Sequence, residues 1–461
     1  MASRPRAAKT TRIDSRLFPT MTRANPAAVV LAGGLGTRMK STTPKHFHTL
    51  LGRRMVDWVV EAARAVEADP LVVVTSPGGA SSFDGVEVAV QREPLGTGDA
   101  LSSAREALDG AGGDLLVLSG DTPRLSPELI RDLLEAHRRE GAAATVLSFR
   151  PGDPREYGRI IRAADGSVQA IVEAGDATPE QLAVDEVNSS IYVFDADLVW
   201  PALEQLDTAN RQGELYLTDA VRNLVENGER VRAYVAPDPT EAEGVNTRAE
   251  LAEAAAALRD RINEEHMLAG VTIVDPKSTW IEADVQIEAD ATIHPFTVLS
   301  GTTKVGAGAV VGPHAVAVDA VIGPEAVVGP FCYLRPGTVL EARAKAGTFV
   351  EIKNSHIGEG AKVPHLSYIG DADVGEGTNI GAGGITANYR PELGPGKFRT
   401  EIGRNVHTAV HNVFVAPVTI GDNAWVAAGS VVTKNVPPGA LAIARSRQEN
   451  KEGYDDRKSH D

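Results

Sequence analysis

A single cysteine, Cys332, stands in 461 residues, so no internal disulfide can form and nothing in the chain requires an oxidising compartment. It reads as a small buried hydrophobe. Basic charge is also short: 46 Lys and Arg face 62 Asp and Glu, a formal net charge of -16. That balance excludes a general nucleic-acid or membrane-surface binder, while leaving room for a local phosphate pocket. The first 24 residues hold no apolar run long enough for a signal peptide or a membrane-crossing helix, and the expected location is the cytoplasm. Two common nucleotide signatures are missing as well. Without G-x-G-x-x-G or G-x-x-x-x-G-K-[ST], neither a dinucleotide fold nor a P-loop follows.

What is present is a beat of six. Ile281, Ile287, Ile293, Leu299, Val305 and Val311 recur at every sixth position. After a one-residue slip the beat resumes as Ile322, Val328, Leu334, Leu340, Ala346 and Ile352, then Ile357, Val363 and Ile369, and later Phe414, Ile420, Val426 and Val432. A hexad repeat predicts a parallel β-helix, about three hexads to a coil, with Gly306, Gly312, Gly323, Gly329 and Gly358 permitting the corners. A β-sandwich would instead alternate with period two. The rhythm breaks over Thr386 to Lys397, which is expected to project as a loop.

The first half reads differently. Ala27 to Leu31 is a buried strand followed by the glycine-rich turn Gly33 to Arg38 and a helix around Asp57 to Val66. Leu71 to Thr75, Val86 to Val90, Leu115 to Leu118 and Ala143 to Phe149 are further apolar runs, separated by helical stretches at Thr97 to Leu108 and Ser126 to Arg139. The alternation predicts an open, mostly parallel α/β sheet with ligands outside the carboxyl ends of its strands. The expected division is 1–24 as a disordered basic leader, 25–248 as the α/β domain, 249–270 as a linker helix and 271–461 as the β-helix. The leader carries Arg4, Arg6, Lys9, Arg12, Arg16 and Arg23 against Asp14; it reads as an extended start with Met21 the initiator, or as a stretch resembling a transit peptide.

Glycines let backbone N–H groups approach phosphate oxygens, and Arg38 and Lys45 add cations near the turn. Leu31-Ala32-Gly33-Gly34-Leu35-Gly36-Thr37-Arg38-Met39-Lys40-Ser41, then Pro44-Lys45, resembles the nucleotide-binding signature of sugar-phosphate nucleotidyltransferases. In order follow Gln91 with Leu95-Gly96-Thr97-Gly98, Ser119-Gly120-Asp121-Thr122-Pro123, Tyr157-Gly158-Arg159-Ile160, Ile171-Val172-Glu173, Glu186-Val187-Asn188, Glu214 to Asp219 and Glu243-Gly244-Val245-Asn246. Joined to a hexad helix, the set is similar to the bacterial family of bifunctional N-acetylglucosamine-1-phosphate uridylyltransferases and glucosamine-1-phosphate N-acetyltransferases.

The resemblance implies a Rossmann-like nucleotidyltransferase domain followed by a left-handed parallel β-helix that forms a homotrimer. It implies UTP and acetyl-CoA as co-substrates, and glucosamine 1-phosphate and N-acetylglucosamine 1-phosphate as the sugars, with no nucleic acid or membrane partner. Uridylyl transfer needs an aligned sugar-phosphate oxygen, a metal and cations for the leaving pyrophosphate. By the resemblance Asp121 and Asn246 hold Mg²⁺. Leu31, Ala32, Gly33, Gly34, Lys45, Gln91, Gly96, Thr97, Ser119 and Gly120 line the nucleotide, and Gly158, Glu173 and Asn188 contact the sugar. Arg38 and Lys45 stabilise charge at the phosphates. In the second half His365 is implied as the catalytic base, suited by its near-neutral imidazole. Arg335, Lys353, Tyr368 and Asn379 are implied for the amino sugar phosphate, and Ala382, Asn388, Tyr389, Val410, Ala428 and Arg445 for acetyl-CoA.

The sequence departs from the family pattern at Ala409-Val410-His411, where Gly-Ser-Asp is usual, at Arg390-Pro391 in place of Asp-Gly, and at Gly384 in place of a threonine. The loop to Lys397 is longer than typical. Asp99 and Ser189-Ser190 are further departures, expected to touch the uridylyl site less directly. Two rival readings stay open: a sugar-phosphate nucleotidyltransferase whose β-helix serves only for oligomerisation, and a sugar-nucleotide-binding regulator with a vestigial metal site.

Overall fold

The computed structural model describes residues 25–34 and 36–454; the basic leader, Leu35 and the last seven residues lie outside them. The described chain divides into two compact units, residues 25–46 with Met55–Gly244, and Phe47–Arg54 with residues 245–454.

The first unit is built on a sheet in the strand order Val231–Val235, Ala144–Phe149, Val187–Asp195, Asp114–Ser119, Ala27–Ala32, Leu71–Thr75, Glu87–Val90. Among these seven Val187–Asp195 runs against the others, and Arg159–Arg162 and Val168–Val172 extend the sheet beside it as an antiparallel pair. Ala27–Ala32 is apolar on both faces and buried throughout most of its length, as a central parallel strand covered on both sides must be. It pairs in parallel with Leu71–Thr75 on one side and Asp114–Ser119 on the other. The strand order reverses at that pair, so the loops leaving Ala32 and Ser119 diverge and open a crevice. Helix Pro127–Glu140 starts where Ser126 Oγ accepts from the Leu129 N–H and stops at Gly141, φ 57°. The stretch expected as one helix from Thr97 to Leu108 is helical only over Thr97–Ser102, with a separate 3₁₀ turn at Glu106–Leu108.

The second unit opens with helix Arg248–Leu268, started by a capping box between Thr247 and Glu250. A prism of short parallel strands in three stacked sheets follows. Trp280 pairs with Val298 and Val298 with Val316, eighteen residues on each time. Val316 then pairs with Tyr333, seventeen on, which is the slip in the hexad beat. Ala317 fills the inward position there, fully buried. The hexad aliphatics line the interior, although Ile287 in the first coil is only partly buried. Cys332 is buried among them, its thiol pushed up to about 12 by loss of water.

The expected loop begins later than the sequence suggests. Ile385–Ala387 is a strand, and Thr386 points inward, 1% exposed. Its hydroxyl donates to the Gly370 carbonyl at 2.9 Å and accepts from the Gly370 N–H at 2.7 Å. Thr408 likewise accepts from the Gly381 N–H at 2.9 Å. Threonine can occupy an inward position because the coil below supplies its partner, and that substitution hides the beat. Ile385 pairs with Val413, twenty-eight on, so the coil carries ten residues more than the eighteen of the coil that follows, and these form the projecting loop.

The short hairpin Thr49–Leu50 with Arg53–Arg54 belongs to this unit. Arg53 Nη2 lies 2.5 Å from Asp284 Oδ1, and the Ala283 N–H donates to the Leu51 carbonyl at 3.1 Å.

Coil-to-coil spacing leaves no room at several glycines. A Cβ on Gly375 would lie 2.6 Å from the Gly403 carbonyl oxygen and 2.7 Å from the Arg404 nitrogen, both backbone. Gly375→Ala is therefore expected to destabilise the prism by about 1–3 kcal/mol, as overpacking does, read as a lowered unfolding midpoint in denaturant.

Candidate functional site

In the first unit the site gathers at the switch point. The Gly120 N–H donates to the Leu31 carbonyl at 2.9 Å, which ties the loop after Asp114–Ser119 to the end of Ala27–Ala32. Asp121 follows directly. Its Oδ2 takes the Lys45 ammonium and its Oδ1 accepts from Ser119 Oγ at 2.6 Å. Burial alone would raise this carboxyl, but the Lys45 and His46 charges and the hydrogen bonds from Lys45 and Ser119 outweigh burial and hold it at about 2. His46 packs behind the turn: a Cβ on Gly34 would lie 3.5 Å from its ring and one on Gly120 3.3 Å. Burial, aided by the Lys45 charge, lowers its imidazole to about 4 against the pull of Asp121 and the Ala32 carbonyl. Lys45, expected at the phosphates, is buried and engaged with Asp121.

Gln91 is buried, and its amide donates to the Gly96 carbonyl at 3.0 Å and to Asp99 Oδ2 at 2.9 Å. Both amide hydrogens are spent, and the oxygen faces Gly33, where a Cβ would lie 2.7 Å away. Asp99, a departure expected to act less directly, holds this amide in place. Gly96, φ 122°, passes so close to the Leu215 carbonyl that a Cβ would lie 2.5 Å from it, and Thr97 Oγ1 accepts from the Leu217 N–H at 3.0 Å.

Gly158, Glu173 and Asn188 come together. The Asn188 N–H donates to the Gly158 carbonyl at 2.8 Å, and a Cβ on Gly158 would lie 3.4 Å from Glu173 Oε2. Burial raises the Glu173 carboxyl, with Asp176 and Asp219 adding to it, against a hydrogen bond from Thr218 Oγ1 at 3.2 Å. The Ser189-Ser190 departure forms a β-bulge between Asn188 and Ile191, and the Ser190 N–H donates to Asn188 Oδ1 at 3.0 Å. Bulges re-aim a neighbouring side chain, so this departure also acts on the site. Arg38 is exposed, 3.5 Å from Glu156 Oε2. Asn246 falls in the other unit, where its N–H donates to Glu250 Oε2 at 2.7 Å.

The Asp121 carboxylate suits a hard cation. It is ionised, already partnered by a cation, and Gly244 leaves one side open, since a Cβ there would lie 3.3 Å from Oδ1 and 3.4 Å from Oδ2. Among the described residues no three His, Cys, Asp or Glu side chains converge to hold a metal by themselves. Water or substrate oxygens would complete the shell.

In the second unit the ladder arranges candidates in columns. Pairing of Lys362 with Asn379, Asn379 with His407 and His407 with Trp425 carries His365 onto Ala382, Ala382 onto Val410 and Val410 onto Ala428. The bonds agree: Gly383 N–H to His365 carbonyl at 3.3 Å, His411 N–H to Ala382 carbonyl at 2.7 Å, Gly429 N–H to Val410 carbonyl at 2.9 Å. Arg445 Cδ lies 4.0 Å from where a Cβ on Gly429 would stand. On the next face Tyr333, Glu351, Tyr368 and Ile385 form a row, and Lys353 pairs with Gly370. Arg335 Nη1 donates to Glu351 Oε1 at 2.8 Å.

The loop is anchored at both ends. Arg390 donates to the Ala416 carbonyl at 3.2 Å, so the Arg390-Pro391 departure fixes the loop base. Lys397 stacks over Tyr389 at 4.3 Å. Gly384 has a reason too: a Cβ there would lie 2.6 Å from Ile380 Cγ2. Sequence reasoning missed Asp371, a buried carboxylate accepting from Asn354 and Asn388. No motif marks it.

A MobA-like NTP transferase domain matches residues 28–226. The bifunctional protein GlmU of Streptomyces avermitilis is 49% identical, covering 95% of this chain and 96% of its own. That of Streptomyces coelicolor is 48% identical over 95% and 96%, and that of Mycolicibacterium vanbaalenii 46% over 94% and 93%. Fold and site define a nucleotidyltransferase that carries a parallel β-helix on the same chain. With likeness running through both halves, the chain belongs to the bifunctional GlmU family.

Lys45→Met removes the first charge that counters burial at Asp121, so its carboxyl is expected to titrate higher. In the parent, a carboxyl lowered from 3.8 to about 2 gives stability that is full above about pH 4 and lost as pH falls through about 2. The variant is expected to lose that contribution at higher pH, read from unfolding midpoints across an acid series.

Proposed function

We propose that the protein makes UDP-N-acetylglucosamine in two steps: acetyl-CoA-dependent N-acetylation of glucosamine 1-phosphate in the β-helix, then uridylyl transfer from UTP in the α/β unit with release of pyrophosphate. The observation that carries this reading is likeness at 46–49% identity through both halves of the chain.

In the first unit Gln91, its amide hydrogens spent, offers a carbonyl oxygen that suits the imide N–H of uracil. Gly158, Glu173 and Asn188 take the sugar. Mg²⁺ on Asp121 would neutralise charge developing on the phosphates. Arg38 and a Lys45 released from Asp121 would steady the same oxygens. In the second unit His365 takes the proton from the attacking ammonium or amine, the amine nitrogen attacks the thioester carbonyl, and the CoA thiolate leaves. Arg335, Lys353, Tyr368 and Asn379 hold the sugar phosphate; Ala382, Asn388, Tyr389, Val410, Ala428 and Arg445 line the acyl donor.

We read the assembly as a trimer in the cytoplasm. Among the described residues no helix is long and apolar enough to cross a membrane. Phe296, His314, Phe331 and Phe349 stack along one prism edge with centroids 4.7, 4.8 and 5.3 Å apart, and the three phenylalanines are about half exposed. This apolar ladder runs on to exposed Leu366 and a cavity of about 550 Å³ that Tyr368 also lines. Such a patch calls for cover, and another copy of the same prism supplies a matching repeat.

His365→Ala is expected to lower acetyl-CoA-dependent thiol release about 100-fold or more while pyrophosphate formation from UTP continues; Asp121→Ala is expected to do the reverse. Absence of thiol release from the parent would leave a uridylyltransferase on a structural β-helix. Phe331→Asp with Phe349→Asp is expected to dissociate the assembly in sedimentation and to weaken acetyl transfer.

A further inference from the structure

Asp371 is buried, with backbone in the left-handed region at φ 50°. That conformation is one Asp tolerates better than most residues. Its N–H donates to the Lys353 carbonyl at 3.0 Å and its carbonyl accepts from the Thr400 N–H at 3.1 Å. Its two carboxylate oxygens have separate duties: Oδ1 accepts from Asn354 Nδ2 at 2.6 Å and Oδ2 from Asn388 Nδ2 at 2.6 Å. The second hydrogen of Asn388 Nδ2 points to the Tyr368 hydroxyl oxygen at 3.3 Å. Gly370 makes this possible, because a Cβ there would lie 2.4 Å from the Tyr368 hydroxyl and 2.7 Å from Asn388 Nδ2.

The polarity of this chain is fixed from one end. A carboxylate only accepts, so both facing amides must present nitrogen to it. Asn388 then has both hydrogens spent, and its Oδ1, with no donor among the described residues, is the group left for a ligand. Tyr368 accepts from Asn388, so its own O–H proton is free to donate. We infer that Asp371 is a positioning residue, which sets Asn388 as an acceptor for an amide or hydroxyl donor of the acyl carrier, and Tyr368 as a donor to the sugar phosphate. The inference rests on the proposed acetyl-transfer site and adds one carboxylate that orders both of its halves.

Asp371→Asn keeps the shape and places a donor against one of the two amides. Asn388 relieves the clash by turning over, which presents its NH₂ outward and removes the donor to Tyr368. The expected result is a KM for acetyl-CoA raised about tenfold, the size of one misdirected hydrogen bond, with kcat changed far less and pyrophosphate formation unaltered. Asp371→Asn with Asn388→Asp restores a donor–acceptor pair and an outward acceptor, so KM for acetyl-CoA is expected to fall back from that of the single variant, while Tyr368, now facing a carboxylate oxygen, donates to it and KM for glucosamine 1-phosphate is expected to rise. A folded single variant with unchanged KM for both substrates overturns the inference. So does a folded double variant whose KM for acetyl-CoA stays raised about tenfold, and that arm decides the matter if the single variant does not fold. Failure of the proposed activity looks different: the parent itself would release no thiol.

Discussion

The second unit depends on one repeated constraint: a coil closes in eighteen residues, or seventeen, with any surplus thrown out as a loop, so that the strand N–H groups meet carbonyls of the coil beside them. Closure drives aliphatic side chains inward at every sixth position and excludes Cβ atoms where coils touch: one on Gly347 would lie 2.0 Å from the Pro364 carbonyl oxygen, and one on Gly381 2.3 Å from that of Ala409. It also aligns outward residues. His365, Ala382, Val410 and Ala428 are far apart in sequence yet stand on successive coils of one column.

The first unit solves a different problem. A phosphate-handling site must hold charge at the end of a sheet whose centre is wholly apolar. Asp121 stays ionised because Lys45 and Ser119 meet it in the same pocket. Lys45 itself is buried, so neither group can be removed without stranding the other. The pair keeps both charges in readiness at the crevice where the strand order reverses.

Much of this was legible from the chain. The hexads, the apolar runs of the open, mostly parallel sheet and the place of Asp121 just past one of them all rest on apolar periodicity and turn chemistry, which are local properties. The rest was hidden for physical reasons. Thr386 and Thr408 sit inward because a backbone partner satisfies each hydroxyl, and no local pattern announces such a partner. Asp99, Ser189 and Ser190 looked peripheral in sequence but hold Gln91 and shape the bulge at Asn188. The buried Lys45–Asp121 pair joins residues 76 positions apart. Asp371 acts through two asparagines seventeen positions to either side.

The hairpin at residues 47–54 has a topological consequence. The chain leaves the first unit after His46, contributes eight residues to the second, returns at Met55, and departs again only after Gly244. The two units are thus interleaved and do not simply follow one another. Ribosomal synthesis presents the hairpin some 230 residues before Asp284, the partner of its Arg53, exists. A chain ending near residue 244 would likewise carry a strand pair whose neighbours were never made. A cut near residue 244 therefore leaves the hairpin on one piece and Asp284, the partner of its Arg53, on the other.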